Sequence, residues 1–209
     1  GFLWVQGYGL GGNNTYIVRI NPSDLDYMVF NAPESGTFYQ PIGTDGTYLY
    51  FTGNSSVYKL DTSLLIGSFA SYSYTNQAVN LPVNTILGSC VVIQKHPTIS
   101  AYSHSIQIDN RFIYLAVTTS ISTNGYDEGT NIFHFQKIDK NTMVTVGDIT
   151  IPKTTDDMVQ NGNYIFLAPE YENTSDPVFM ANCGLIAIHK NTLEIKYLKA
   201  LHSDFDTQN

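Results

Sequence analysis

An all-β fold is predicted for this 209-residue chain by its composition, its turn residues and a repeated strand pattern. Charged residues make up only 13% of the chain, about half the usual share. In their place stand 18 Asn, 16 Ser, 21 Thr and 15 Tyr, a third of all residues. Thr and Tyr fit a pleated surface and Asn and Ser fit turns, so this mixture favours strands and tight connections over helices. The repeat is seen first in TYIVRINPSDLDYMVF (15–30), an alternating run, a turn and a second apolar run. The same shape returns in VYKLDTSLLIGSF (57–69), VVIQKHPTISAYS (91–103), FHFQKIDKNTMVTVGDI (133–149) and LIAIHKNTLEIKYL (185–198). Aligned on the apolar residue before each turn (Ile20, Leu60, Ile93, Ile138, Ile188), the intervals are 40, 33, 45 and 50, with a mean of 42.

Taken along the chain, most hairpins follow a further strand: FLWV (2–5), YLYF (48–51), FIYLAV (112–117) and YIFLA (164–168). The last three of these follow a shorter strand that ends in a tight polar turn: PIGTDG (41–46), SIQIDN (105–110) and DMVQNG (157–162). DG and NG tolerate the positive φ of a tight hairpin turn. Each unit therefore reads as four strands, A-B-C-D, in an up-and-down meander, and such a unit repeated every 42 residues or so is a β-propeller blade. Counting hairpins predicts one domain, 1–209, of about five four-stranded blades. Their spans are 1–35 plus 202–209, 36–72, 73–103, 104–152 and 153–201. The third blade is degenerate, because TILGSCVVI (85–93) leaves almost no room for a B–C loop. Four blades with 71–104 as an insertion is the alternative.

The C-terminal HSDFDTQN (202–209) is similar to HSIQIDN (104–110), an inner strand and its turn. FLWV is a B strand without an A strand of its own, so pairing of 202–209 with the N-terminal strands would close the ring and remove its open edges. The rival expectation is a slice of a longer propeller.

The segments YKLDTS (58–63), FQKIDKNT (135–142) and IAIHKNT (186–192) resemble the quinoprotein-like class of propeller repeats, in which an alternating strand ends in an Asp or Asn turn. The tryptophans common in such enzymes are missing, Trp4 being the single one, so no quinone cofactor is expected. By architecture the chain also resembles the tachylectin-like five-bladed lectins and the five-bladed glycosidases. The resemblance implies a fold and leaves activity to the site.

In this strand order the B–C loops share one face with the D–A connections, and loop length varies most there. The loops 118–131 and 169–183 carry Tyr126, Asp127, Glu128, Glu170, Tyr171, Glu172 and Asp176. This acidic, tyrosine-bearing rim is the first candidate ligand site, since Tyr offers amphipathic contact at low entropic cost. Its carboxylates suit calcium, but no spaced ligand motif is present, so no cofactor is expected. The second candidate is the channel mouth, where Gln40, His104, Asp156, Asp157 and His202 align at one level. Histidine and carboxylate there would serve as acid and base in a carbohydrate-active hydrolase or lyase. A regular strand would send Asp156 and Asp157 to opposite faces.

A net charge of −8 with ten Lys and Arg argues against nucleic acid as a partner. No apolar run approaches the ~20 residues of a membrane span. Cys90 and Cys183 lie two blades apart and are expected to be free, buried thiols. Asn13, Asn54 and Asn173 head glycosylation-type triplets. The reading is a non-catalytic module that binds a protein or glycan, or a component of an extracellular or virion surface assembly. The alternative is the hydrolase or lyase at the channel mouth.

Overall fold

The computed structural model describes residues 1–8, 15–31, 42–53, 56–65, 86–89, 92–97, 102–120, 131–152, 155–169 and 185–198. These residues form four four-stranded sheets. The first contains β1 (Leu3–Tyr8), β2 (Thr15–Ile20), β3 (Tyr27–Asn31) and β7 (Ile86–Ser89). The second contains β4 (Ile42–Thr44), β5 (Tyr48–Gly53), β6 (Ser56–Asp61) and β8 (Val92–Pro97). The third is β9 (Tyr102–Ile108), β10 (Phe112–Ser120), β11 (Asn131–Asp139) and β12 (Val144–Ile151). The fourth is β13 (Thr155–Asn161), β14 (Tyr164–Pro169), β15 (Ile186–His189) and β16 (Ile195–Tyr197). All pairings are antiparallel except that of β3 with β7.

The A–B turns are the tight ones read from the sequence. Gly46 and Gly162 sit at φ 93° and 55° in the DG and NG turns, where a side chain would be strained. Three C–D turns are copies of one design. Leu25, Met143 and Leu193 adopt φ 64°, 53° and 58°, and each donates its N–H to the carbonyl four residues back, at Asn21, Asp139 and His189. The side chains at those three positions cap the turn: Asn21 Oδ1 accepts from the Ser23 N–H, Asp139 Oδ1 from Asn141 and Thr142, and His189 Nδ1 from Thr192.

The second sheet departs from this design. Asp61 caps Ser63 in the same way, but the chain enters a short 3-10 helix, Thr62–Leu64, and Leu65 takes φ −82°. In the first and fourth sheets the turn's fourth residue, Asp24 or Thr192, caps the N–H two residues on; the second sheet has Leu64 there, with no acceptor. β6 pairs with β8 on the edge where the 57–69 hairpin was expected, and residues 66–69 lie outside the described residues. The remaining strand of the 73–103 segment, β7, joins β3, and residues 102–103 begin β9. Among the described residues no separate sheet forms over 73–103.

The sheets stack in chain order. Inner strands lie side by side as β1, β4, β9, β13. Each sheet thus has a face toward the preceding sheet and one toward the following sheet. Leu49 and Phe51 of β5 pack back on Ile17, Met28 and Phe30 of the first sheet. Ile113 and Leu115 of β10 pack back on Tyr50 and Val57 of the second. Ile165 and Leu167 of β14 pack back on Tyr114, Ala116 and Phe135 of the third. Those six B-strand residues are fully buried, each contributing roughly 2–3 kcal/mol of hydrophobic stabilisation. The arrangement is all-β and propeller-like.

Candidate functional site

The most developed polar constellation is built from one motif used twice. In the second sheet, Asp45 of the A–B turn accepts hydrogen bonds from the N–H groups of Thr47 and Tyr48 and from the hydroxyl of Tyr50. The next sheet's C–D turn sends Lys140 Nζ to Asp45 Oδ2 at 2.7 Å. Lys59 in turn donates to the Lys140 carbonyl at 2.9 Å. One repeat later, Asp109 accepts from the N–H groups of Arg111 and Phe112 and from the Tyr114 hydroxyl. Lys190 Nζ stands 3.8 Å from Asp109 Oδ2 and 3.0 Å from Gln160 Oε1, and Lys137 donates to the Lys190 carbonyl at 2.6 Å. Each set is an inter-sheet clasp, with carboxylate, phenol and one lysine on one sheet and the second lysine on the next.

The electrostatics follow from that geometry. Burial alone would raise the Asp45 carboxyl, but Lys140 and the backbone donors outweigh it and hold the group below its ordinary range. Asp109 behaves alike: burial opposes ionisation, and two backbone N–H groups, Tyr114 and Lys190 overcome it. The Tyr50 and Tyr114 phenols are pushed upward, first by burial and then by the neighbouring carboxylates. Lys137 is lowered, chiefly by burial, while its ammonium sits 3.9 Å from the centre of the Phe112 ring. These groups hold charges in fixed places, and both aspartates are committed to structure.

Beside the second clasp a cavity of about 570 Å³ opens on the turn-bearing face between the third and fourth sheets. Asp109, Asn110, Arg111, Gln160, Asn163 and Lys190 contribute to its lining. This volume falls within the range of small-molecule sites. Sequence reasoning placed the variable loops, and so the site, at the opposite end of the strands. The signal for the clasp was present as an Asp five residues before a Tyr, 45/50 and 109/114, with KNT in the following repeat.

The expected acidic rim, Tyr126, Asp127, Glu128, Glu170, Tyr171, Glu172 and Asp176, lies outside the described residues, as do Gln40, His202, Cys90, Cys183, the three glycosylation-type asparagines and 202–209. Of the channel-mouth set, the backbone of His104, Asp156 and Asp157 is described. β9 bulges between Ser103 and Ser105, which face Val117 and Ala116, so that His104 is the extra residue. β13 bulges between Thr155 and Asp157, which face Pro169 and Ala168, so that Asp156 is the extra residue. Ala116 and Ala168 occupy matching positions in their sheets, so His104 and Asp156 share one level on neighbouring inner strands. The regular strand pairing assumed for Asp156 and Asp157 is therefore interrupted between Thr155 and Asp157. Among the described residues no three His, Cys, Asp or Glu side chains converge on one point, and no helix is long and apolar enough to cross a membrane.

No family model matches the chain, and no curated protein matches it in sequence. Among solved structures it is similar to the WD40 domain of Neurospora crassa Pan2, at 11% identity and a TM-score of 0.38. That match covers 92% of this chain and 64% of that domain, so the chain spans less than two thirds of its length.

Proposed function

We propose that the chain is a non-catalytic, propeller-like module whose loop-bearing end binds a protein or glycan, or that serves as a structural component of an extracellular or virion surface assembly. One observation carries this reading. The inner strands of the third and fourth sheets lie side by side, and the B–C loops of both sheets leave from the same end, after Ser120 and Pro169. Two connections that carry Tyr126, Asp127 and Glu128 and Glu170, Tyr171, Glu172 and Asp176 thus start from neighbouring, rigidly stacked sheets. Loops held on such a scaffold are where recognition concentrates. The rim's carboxylates would accept calcium if a cation serves there. A glycan array probed with the full chain and with a Tyr126→Ala, Tyr171→Ala double variant tests it. Selective binding lost in the variant supports the reading, and array binding unchanged by the double substitution removes the rim from it.

The paired bulges at His104 and Asp156 favour a second reading, a carbohydrate-active hydrolase or lyase at the channel mouth. Gln40, Asp157 and His202 would complete that site. It requires turnover of polysaccharide or aryl-glycoside substrates that Asp156→Asn abolishes while thermal stability is retained.

A further inference from the structure

We infer that the cavity beside the second clasp binds a small sugar acid, a hydroxyl-bearing ligand that carries one carboxylate. The cavity opens between the third and fourth sheets, and all of its lining comes from described residues. It lies at the end of the strands opposite the B–C loops, so the inference stands independently of what those loops bind.

Three asparagines carry the first part of the argument. Asn110, in the third sheet's A–B turn, lines the cavity together with Asn163 and Asn191, in the turns of the fourth. All three are exposed. Asparagine in a turn ordinarily supplies a positive φ or a side-chain bond to the backbone. None of the three has a positive φ, and among the described residues none forms a side-chain hydrogen bond. Those turns are held instead by Asp109, Gly162 and His189. The three amides are thus idle in the fold. Each keeps both donor and acceptor capacity, which matches the hydroxyls of a sugar, themselves donors and acceptors. Ile108 and Phe112 add an apolar part to the lining, against which the C–H groups of a sugar ring can pack.

Arg111 carries the second part. Its Nε is tied to Asp139 Oδ2 at 3.3 Å, and its guanidinium carbon lies 5.0 Å from the centre of the Phe112 ring. The side chain is nevertheless 71% exposed. Its two terminal amines have no hydrogen-bond partner among the described residues. A guanidinium held by Nε presents those amines as a fork that fits a carboxylate. The surrounding charges call for one anion. Arg111 and Lys190 line the cavity with Asp45 and Asp109. Lys140 bonds to Asp45, Asp139 to Arg111, and Lys137 to the Lys190 carbonyl. Four cations therefore meet three carboxylates, a local surplus of one positive charge on a chain whose net charge is −8. The volume of about 570 Å³ is many times the roughly 30 Å³ of one water molecule. A bare inorganic ion would leave most of it to solvent, whereas an anion with a hydroxylated body fills it.

Titration calorimetry of the 209-residue chain with D-glucuronate, D-galacturonate and N-acetylneuraminate tests it, with glucose, acetate and glucose 6-phosphate as comparators. At least one of the sugar acids should bind about tenfold or more tighter than glucose, which lacks the charge, and than acetate, which lacks the hydroxyls. Arg111→Gln should weaken that binding about tenfold or more, and Asn163→Ala about threefold to tenfold. The melting temperature should change little in either variant, because both side chains are exposed. The Tyr126→Ala, Tyr171→Ala double variant should bind as the wild type does, which separates this site from the loops. The inference is overturned if none of the three sugar acids binds better than glucose, or if Arg111→Gln binds them as the wild type does. Acetate bound as tightly as the sugar acids marks a simple anion contact and overturns it as well. A preference for glucose 6-phosphate overturns the carboxylate and makes the ligand a sugar phosphate.

Discussion

Asp45 and Asp109 each collect two backbone N–H groups, a phenol and a lysine from the neighbouring sheet, so one side chain fixes a turn and an inter-sheet contact together. Their ionisation is linked to folding. Both carboxyls lie below their ordinary range in the folded chain, so the stability they contribute is present above the unfolded pKa. It is lost as pH falls below about 4 and through the folded values. Asp45→Asn should cost about 2 kcal/mol at pH 7, as loss of charge-assisted hydrogen bonds does. It should also flatten the dependence of stability on pH below about 4. Urea denaturation of both proteins across that range measures the difference.

The turns show which local rules governed the strands. DG and NG were legible because a tight hairpin needs positive φ, and Gly46 and Gly162 supply it. Nothing crowds the position a Cβ would take at Gly46. Gly46→Ala is therefore a pure test of backbone strain, with an expected loss of about 1 kcal/mol in a thermal melt. The C–D turns were legible as turns but not as one design, because the left-handed residue in each is an apolar Leu or Met, types that sequence rules exclude from positive φ. At Met143, burial in the core between the second and third sheets compensates for that conformation. The turn after Leu60 differs from the others, and its Leu64 lacks the side-chain acceptor of Asp24 and Thr192. The signal was in the sequence, but its meaning needed the other turns beside it.

At the scale of the whole chain, stability is graded along the stack. The third sheet is covered on both faces and clasped on both sides, so Tyr114, Leu115 and Phe135 are fully buried. The first sheet presents Leu3 and Val5 outward and joins the second without a full clasp, since Trp4 and Thr62 replace the tyrosine and the later lysine. Native-state hydrogen exchange should therefore find β10 and β11 protected near the global limit and β1 opening at the lowest free energy. Protection of β1 equal to that of β10 would contradict the graded stack.

The sequence alone determined most of the strands, the grouping of the third and fourth sheets and the A–B turns. Those features depend on period-2 patterning and on turn chemistry, both of which act over a few residues. Tertiary structure decided that β7 and β8 serve the first two sheets, that Asp45 and Asp109 clasp sheet to sheet, and that His104 and Asp156 lie at bulges. It also decided which copies of one buried B-strand position face outward. Repeats of similar pattern cannot announce which of their faces are covered, because burial depends on neighbours far away in the chain.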